Sequence, residues 1–272
     1  MDDAEIVRAF YQQDDDYEWR RFEQHPIEFE LTKRFLRRYV QTGQRVLDVG
    51  GGPGRYALFC AAQGCDVTLV DLAENHVRVA KQRAEEAGLP LRALAGDARG
   101  VDRLVDGPFD HILLMGPLYH LTSEADRVRC VQACLRLLKP GGLLYVSFIA
   151  SYSGLVYSMK NEPAMILNPQ LREHFEQFAQ DDAFSGTAFT QAYFARIDEV
   201  LPFMARFPLE KLHFFSQEGM LAPNENELLA QPPEVLDAWI DLAERVCERP
   251  DLLSYAEHLM YIGKKAQAPQ SE

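Results

Sequence analysis

The chain has 272 residues, 47% apolar and 25% charged, which is ordinary globular usage and ample for one large domain, or a domain plus a cap. Its formal charge of −13 argues against a nucleic-acid backbone or an anionic membrane as the main partner, since either would be repelled. The acidic opening MDDAEIVRAF is unlike a secretory leader, and no apolar run approaches the roughly 18 residues of a membrane span.

The five cysteines lack CxxC spacing, so they read as reduced core thiols rather than a metal site, and a cytoplasmic protein with no bound metal is expected. Residues 1–25 precede the first clearly periodic helix and are expected to form an N-terminal helical cap. In HPIEFELTKRFLRRYV, Pro26 occupies the first turn and Ile27, Leu31, Phe35 and Tyr39 share one face. RVLDV then reads as a buried strand, and Arg55 to Gln63 as a helix closed by Gly64. DVTLVD is a second strand, followed by a helix with Val77, Ala80, Ala84 and Ala87 inward and Gly88 as its stop. LRALAGD is a third strand and FDHILLM a fourth. A helix ended by Pro140, Gly141 and Gly142 leads to a fifth, LLYVSFI. Apolar strands separated by such helices predict a parallel sheet covered on both faces, with residues 26–150 as the ligand-binding core.

From Ser151 to about Gly186 the sequence is polar, aromatic-rich and too long for a simple connection, so residues 151–208 are expected to be a helical insertion on the substrate side. LEKLHFFSQEG and SYAEHLMYIGKK read as sixth and seventh strands with a helix between them. Residues 209–265 thus complete the sheet, and 266–272 are a polar tail. The front segment and the insertion are where a lid would be built.

The stretch VLDVGGGPGRYA places Gly50, Gly52 and Gly54 between the first strand and a helix, where missing Cβ atoms let a ligand approach bare backbone. A nicotinamide-type G-x-G-x-x-G would want glycine at position 55, which is Arg55. Asp48 at the strand end would repel a pyrophosphate but suits an amine-bearing ligand. Asp71 ends the second strand, 17 residues after Gly54, and can accept from ribose hydroxyls. Asp97 ends the third, where its carboxylate can accept from an adenine amine and the Ala98 N–H can meet a ring nitrogen. Met115 and Gly116 border the same crevice. Each acid also has a plainer reading, Asp48 as a loop organiser and Asp97 as a helix cap. Together they describe a phosphate-free, cationic nucleoside.

This run, continuing through GDAR and FDHILLMGPLYHL to KPGGLLYVSF, resembles the class I S-adenosylmethionine-dependent methyltransferases, in particular the branch of ubiquinone/menaquinone-biosynthesis C-methyltransferases. The resemblance covers residues 26–150 well and the last two strands loosely. It implies an α/β Rossmann-like, seven-stranded sheet of order 3-2-1-4-5-7-6, with the last strand antiparallel, helices on both faces and a helical lid. It implies methyl transfer from S-adenosyl-L-methionine to a small-molecule acceptor. The cofactor-binding set would be Asp48, Gly50, Gly51, Gly52, Gly54, Asp71, Leu72, Asp97, Ala98, Met115 and Gly116. Arg55 departs from the expected small residue, either to hold the methionine carboxylate or merely to open the helix.

No HExxH, GxSxG or paired CxxC motif is present, as suits a reaction in which alignment dominates. A base for the acceptor is sought on the loop GPLYHL, where His120 and Tyr119 are the candidates, with loop packing as the plainer alternative. Substrate-side candidates are Tyr17, Trp19 and Arg20 from the front segment and Tyr152 and Tyr193 from the insertion. Tyr157 and Phe189 are further candidates there, and all of these insertion aromatics could equally form its own core. His111, inside a strand, reads as structural. Two other functions are alternatives: a non-catalytic cofactor-binding or partner-activating protein, and a nicotinamide-dependent oxidoreductase.

Overall fold

A computed structural model describes residues 3–180 and 183–267; most of the expected polar tail, 268–272, lies outside the described residues. Three helices lead in, α1 (Asp3–Tyr11), α2 (Tyr17–Gln24) and α3 (Pro26–Tyr39). The expected face of α3 is inward, with Ile27, Leu31 and Phe35 buried and Tyr39 partly so. An alternating run follows: β1 (Arg45–Val49), α4 (Arg55–Ala62), β2 (Asp66–Asp71), α5 (Glu74–Glu86), β3 (Arg92–Ala95), β4 (Phe109–Leu114), α6 (Glu124–Leu137) and β5 (Leu138–Ala150). Strands β1 to β5 pair in parallel in the order 3-2-1-4-5. Their Val, Leu and Ile side chains fill two large cores, one on each face of the sheet.

The insertion contains α7 (Ser153–Asn161) and α8 (Arg172–Ala179), then β6 (Phe184–Thr187), β7 (Gln191–Ala195) and α9 (Ile197–Met204). The chain closes with β8 (Leu209–Ser216), α10 (Glu225–Leu229), α11 (Pro233–Val246) and β9 (His258–Lys265). The last strand runs antiparallel to β5, and β8 pairs outside it, so the expected sixth and seventh strands are β8 and β9. The insertion corrects the expectation of a wholly helical segment, because β6 and β7 form a hairpin. Strand β5 outruns β4: their pairing ends at Leu114 with Val146, whereas Ile149 and Ala150 pair with Phe194 and Ala195. Ile149 also pairs with His258 of β9, so β7 must occupy the edge that β4 leaves vacant. The hairpin is thereby held at the carboxyl end of β4. All five cysteines are buried and unbridged. No helix among the described residues is long and apolar enough to cross a membrane.

Candidate functional site

Beyond the carboxyl ends of β1, β2 and β4 lies a cavity lined by strand-end loops below and by α1 and α2 above. That is the place where open α/β sheets bind ligands. Ten of the eleven expected cofactor residues line it: Asp48, Gly50, Gly51, Gly52, Asp71, Leu72, Asp97, Ala98, Met115 and Gly116. The exception is Gly54. Its φ of +91° opens α4, and a Cβ there would press within 3.1 Å of Ala80 on α5, so it serves helix packing.

The glycine floor is tight from beneath. A Cβ on Gly50 would come within 2.5 Å of Pro117 Cδ, and one on Gly51 within 2.6 Å of Asp48 Oδ2. Asp48 is buried and that oxygen has no partner. Burial, then the neighbouring Asp71, pushes its carboxyl up to about 7. A carboxylate so placed, with an unmet acceptor, fits a cationic ligand above the loop.

Asp71 also organises the loop. Its Oδ2 accepts from the Gly52 N–H at 2.8 Å, and its Oδ1 accepts from the Ala73 N–H at 2.9 Å and faces His76 Nδ1 at 3.3 Å. Asp97 is shared in a way that weakens the expected adenine contact. It caps the following turn by accepting from Arg99 N and binds the Arg99 guanidinium, Nη2 to Oδ2 at 2.6 Å. Burial would raise its carboxyl, but these Arg99 contacts hold it below the ordinary value.

His120 and Tyr119 both line the cavity. Tyr119 donates its hydroxyl to the Met115 carbonyl at 3.0 Å, so it is a support for the loop. His120 Nδ1 lies 3.0 Å from the carbonyl of Gln191 on the hairpin, and only a protonated nitrogen can bond there. Its Nε2 lies 2.9 Å from the hydroxyl of Tyr11. Burial keeps the imidazole below its usual pKa, hence neutral, so Nε2 accepts and Tyr11 donates.

The lid residues are corrected by helix phase. Tyr17, Trp19 and Arg20 do not line the cavity; Glu18, Arg21 and Phe22 do. Tyr17 is exposed, Arg20 pairs with Asp14, and Trp19 lies between the guanidinium groups of Arg55 and Arg83. Arg55 is thus held among Trp19 and Phe29 and opens α4, away from the cavity. On α1 the inward residues are Ala4, Val7, Arg8 and Tyr11, the i, i+3, i+4, i+7 spacing of one helix face, legible in the opening decapeptide and its next residue. Tyr152, at the N-cap of α7, and Tyr193 are not in the cavity. Strand alternation turns Ala192 and Phe194 into the insertion core and Tyr193 the other way, where it donates to Glu199 beneath Arg127. Phe189 stands at the rim, 5.8 Å from the His120 ring, while Tyr157 is exposed. His111 is structural, bonded to Gln44 and Tyr145 within the sheet.

Behind Arg21 the polar chain continues. Arg21 donates to Glu18 and Glu28, and His258 lies 2.7 Å from Glu218 and 3.8 Å from Glu28. Burial would depress the His258 imidazolium, but Glu28 and Glu218 overturn it and raise it to about 9.

Residues 46–142 match the family of methyltransferase domains. A ubiquinone biosynthesis O-methyltransferase of Xylella fastidiosa is 38% identical over 113 residues, 42% of this chain and 45% of that protein. The chain spans about half the length of the curated relatives it matches. Two solved structures share the methyltransferase fold across most of their length. Magnesium protoporphyrin IX methyltransferase from Synechocystis, solved with bound SAH, aligns over 97% of this chain and 100% of its own at 15% identity, TM-score 0.59. The cyclase SpnF aligns over 88% and 82% at 21% identity, TM-score 0.57. Since proteins of this fold include a cyclase, the fold alone does not assign a reaction.

Proposed function

We propose that the methyltransferase domain binds S-adenosylmethionine and methylates a hydroxyl of a small, partly apolar acceptor. The observation that carries this is Asp48: a buried carboxylate with an unmet oxygen under a glycine floor, in one cavity with Asp71 and Asp97. A cation with a ribose and an adenine fits that donor and acceptor set, and a pyrophosphate does not. The Gly50–Gly52 backbone and Asp48 would hold the methionine end, Asp71 the ribose, and Ala98 with Leu72 the adenine.

Bound S-adenosylmethionine supplies a sulfonium methyl already activated for displacement. The protein's share is alignment and exclusion of water, and positioning of this kind supplies roughly 7–11 kcal/mol. α1 and α2 roof the cavity, with Val7 and Phe22 as its apolar lining. An acceptor hydroxyl beside Tyr11 passes its proton to the tyrosine oxygen while the proton of Tyr11 moves to His120 Nε2. His120 becomes an imidazolium whose Nδ1–H stays on the Gln191 carbonyl. The relatives' names as O-methyltransferases agree with an oxygen acceptor. Tritiated methyl transfer, screened over phenols, alcohols, amines and carboxylates, tests the reading. Label is expected on a hydroxyl acceptor, and transfer only to nitrogen or carbon would overturn the oxygen assignment.

A further inference from the structure

Asp71 has less free valence than a ribose diol needs. A carboxylate offers about four acceptor positions. Three on Asp71 are committed to Gly52 N, Ala73 N and His76 Nδ1, which leaves one, on Oδ2. The second hydroxyl of the diol needs another partner.

His76 stands beside that vacancy. It sits in the first turn of α5, lines the cavity and is only 2% exposed. A Cβ placed on Gly52 would find His76 Nδ1 as its nearest neighbour, at 3.9 Å, so the ring borders the glycine loop. Its Nδ1 is spent on Asp71, while its Nε2 is buried and has no partner. Buried polar atoms without partners are rare and point to a missing ligand group. With the proton of the neutral ring on Nδ1, Nε2 accepts; in the imidazolium, which Asp71 favours against the effect of burial, Nε2 donates. A hydroxyl satisfies either state.

We propose that His76 is a ribose-binding residue, and that the diol of the adenosyl group is divided between Asp71 Oδ2 and His76 Nε2. This rests on the adenosyl reading of the cavity. It also makes the pair a discriminator, since a ligand with one hydroxyl removed leaves one defined protein atom unsatisfied.

The test is calorimetry with 5′-methylthioadenosine and its 2′-deoxy and 3′-deoxy counterparts on the full chain. His76→Asn keeps a donor near Asp71 and removes Nε2; His76→Gln keeps a polar atom near the Nε2 position and gives up the Asp71 contact. In the native protein each deoxy compound is expected to bind about tenfold more weakly. In His76→Asn the parent nucleoside loses about tenfold, and one deoxy compound then loses nothing further while the other still does. His76→Gln retains the native discrimination. If both deoxy penalties persist unchanged in His76→Asn, the diol does not use His76 and the proposal is overturned. If the native protein binds none of the three nucleosides, the adenosyl reading itself falls and this proposal with it.

Discussion

The hydroxyl of Tyr11, on the first helix, lies 2.9 Å from Nε2 of His120, on the loop after the fourth core strand. The other ring nitrogen of His120 is fixed by the Gln191 carbonyl, so the pair is oriented from the lid at one end and from the β6–β7 hairpin at the other. Tyr11→Phe and His120→Ala are each expected to lower kcat about 10²–10⁴-fold while S-adenosylhomocysteine affinity changes little. The double variant should be no worse than the poorer single one, because the two act on one proton. Additive losses in steady-state kinetics would show that they act separately.

Asp48 gives a pH signature to the ligand-free protein. Its carboxyl is raised to about 7 by burial and by Asp71, against about 3.9 in the unfolded chain. The folded state therefore holds a proton that the unfolded chain has released. Stability from this group is full below about pH 4 and is lost as pH rises through 7. Asp48→Asn should raise Tm relative to the native chain at pH 8 and leave it little changed at pH 4. Thermal melts at the two pH values check this, and an equal shift at both would contradict it.

His258 has the same sign in a higher window. Burial works against its imidazolium, but Glu28 and Glu218 raise it to about 9, above about 6.5 when unfolded. Its contribution is complete below about pH 6.5 and is lost as pH climbs through 9. His258→Gln is expected to flatten the decline of the urea midpoint between pH 7 and pH 10. A decline as steep as in the native chain would move the cause elsewhere.

The lid is latched by charge. Asp15 pairs with Arg78 and Asp16 with Arg83 Nη2 at 2.8 Å, both arginines on α5, while Asn75 donates to the Tyr11 carbonyl. All four charged side chains are partly exposed, so each pair is weak and is screened by salt. Arg78→Glu with Arg83→Glu should speed release of S-adenosylhomocysteine several-fold and remove its salt dependence. Stopped-flow release rates in low and high salt measure both, and unchanged rates would detach the latch from ligand exit.

The legible part of this site is the part that strand ends place. Ala98, Met115 and Gly116 follow from strand periodicity and from the rule that ligands sit beyond the carboxyl ends, whereas Leu72 comes only with the family resemblance. Glu18 and Arg21 were hidden because the aromatics of α2 draw the eye to Tyr17 and Trp19. Helix phase, counted from the buried Phe22, points the other way. Asp97 shows a second limit: its partner Arg99 is two residues away, yet only the turn geometry turns the guanidinium back onto it. The hairpin is harder still. FSGT and QAYFA are too short and mixed to announce strands, and they exist because β5 runs past β4 and leaves an edge to fill.

On the proposed function, the cavity holds an adenosyl sulfonium, or its thioether product, through Asp71 and the glycine floor. Calorimetric titration of the full chain with S-adenosylhomocysteine, and with NADH as the contrast, tests it most directly. Saturable binding of the thioether alone is expected, weakened at least tenfold by Asp71→Ala, which removes both the proposed ribose acceptor and the Gly52 anchor. Binding of NADH with no heat from the thioether would contradict it.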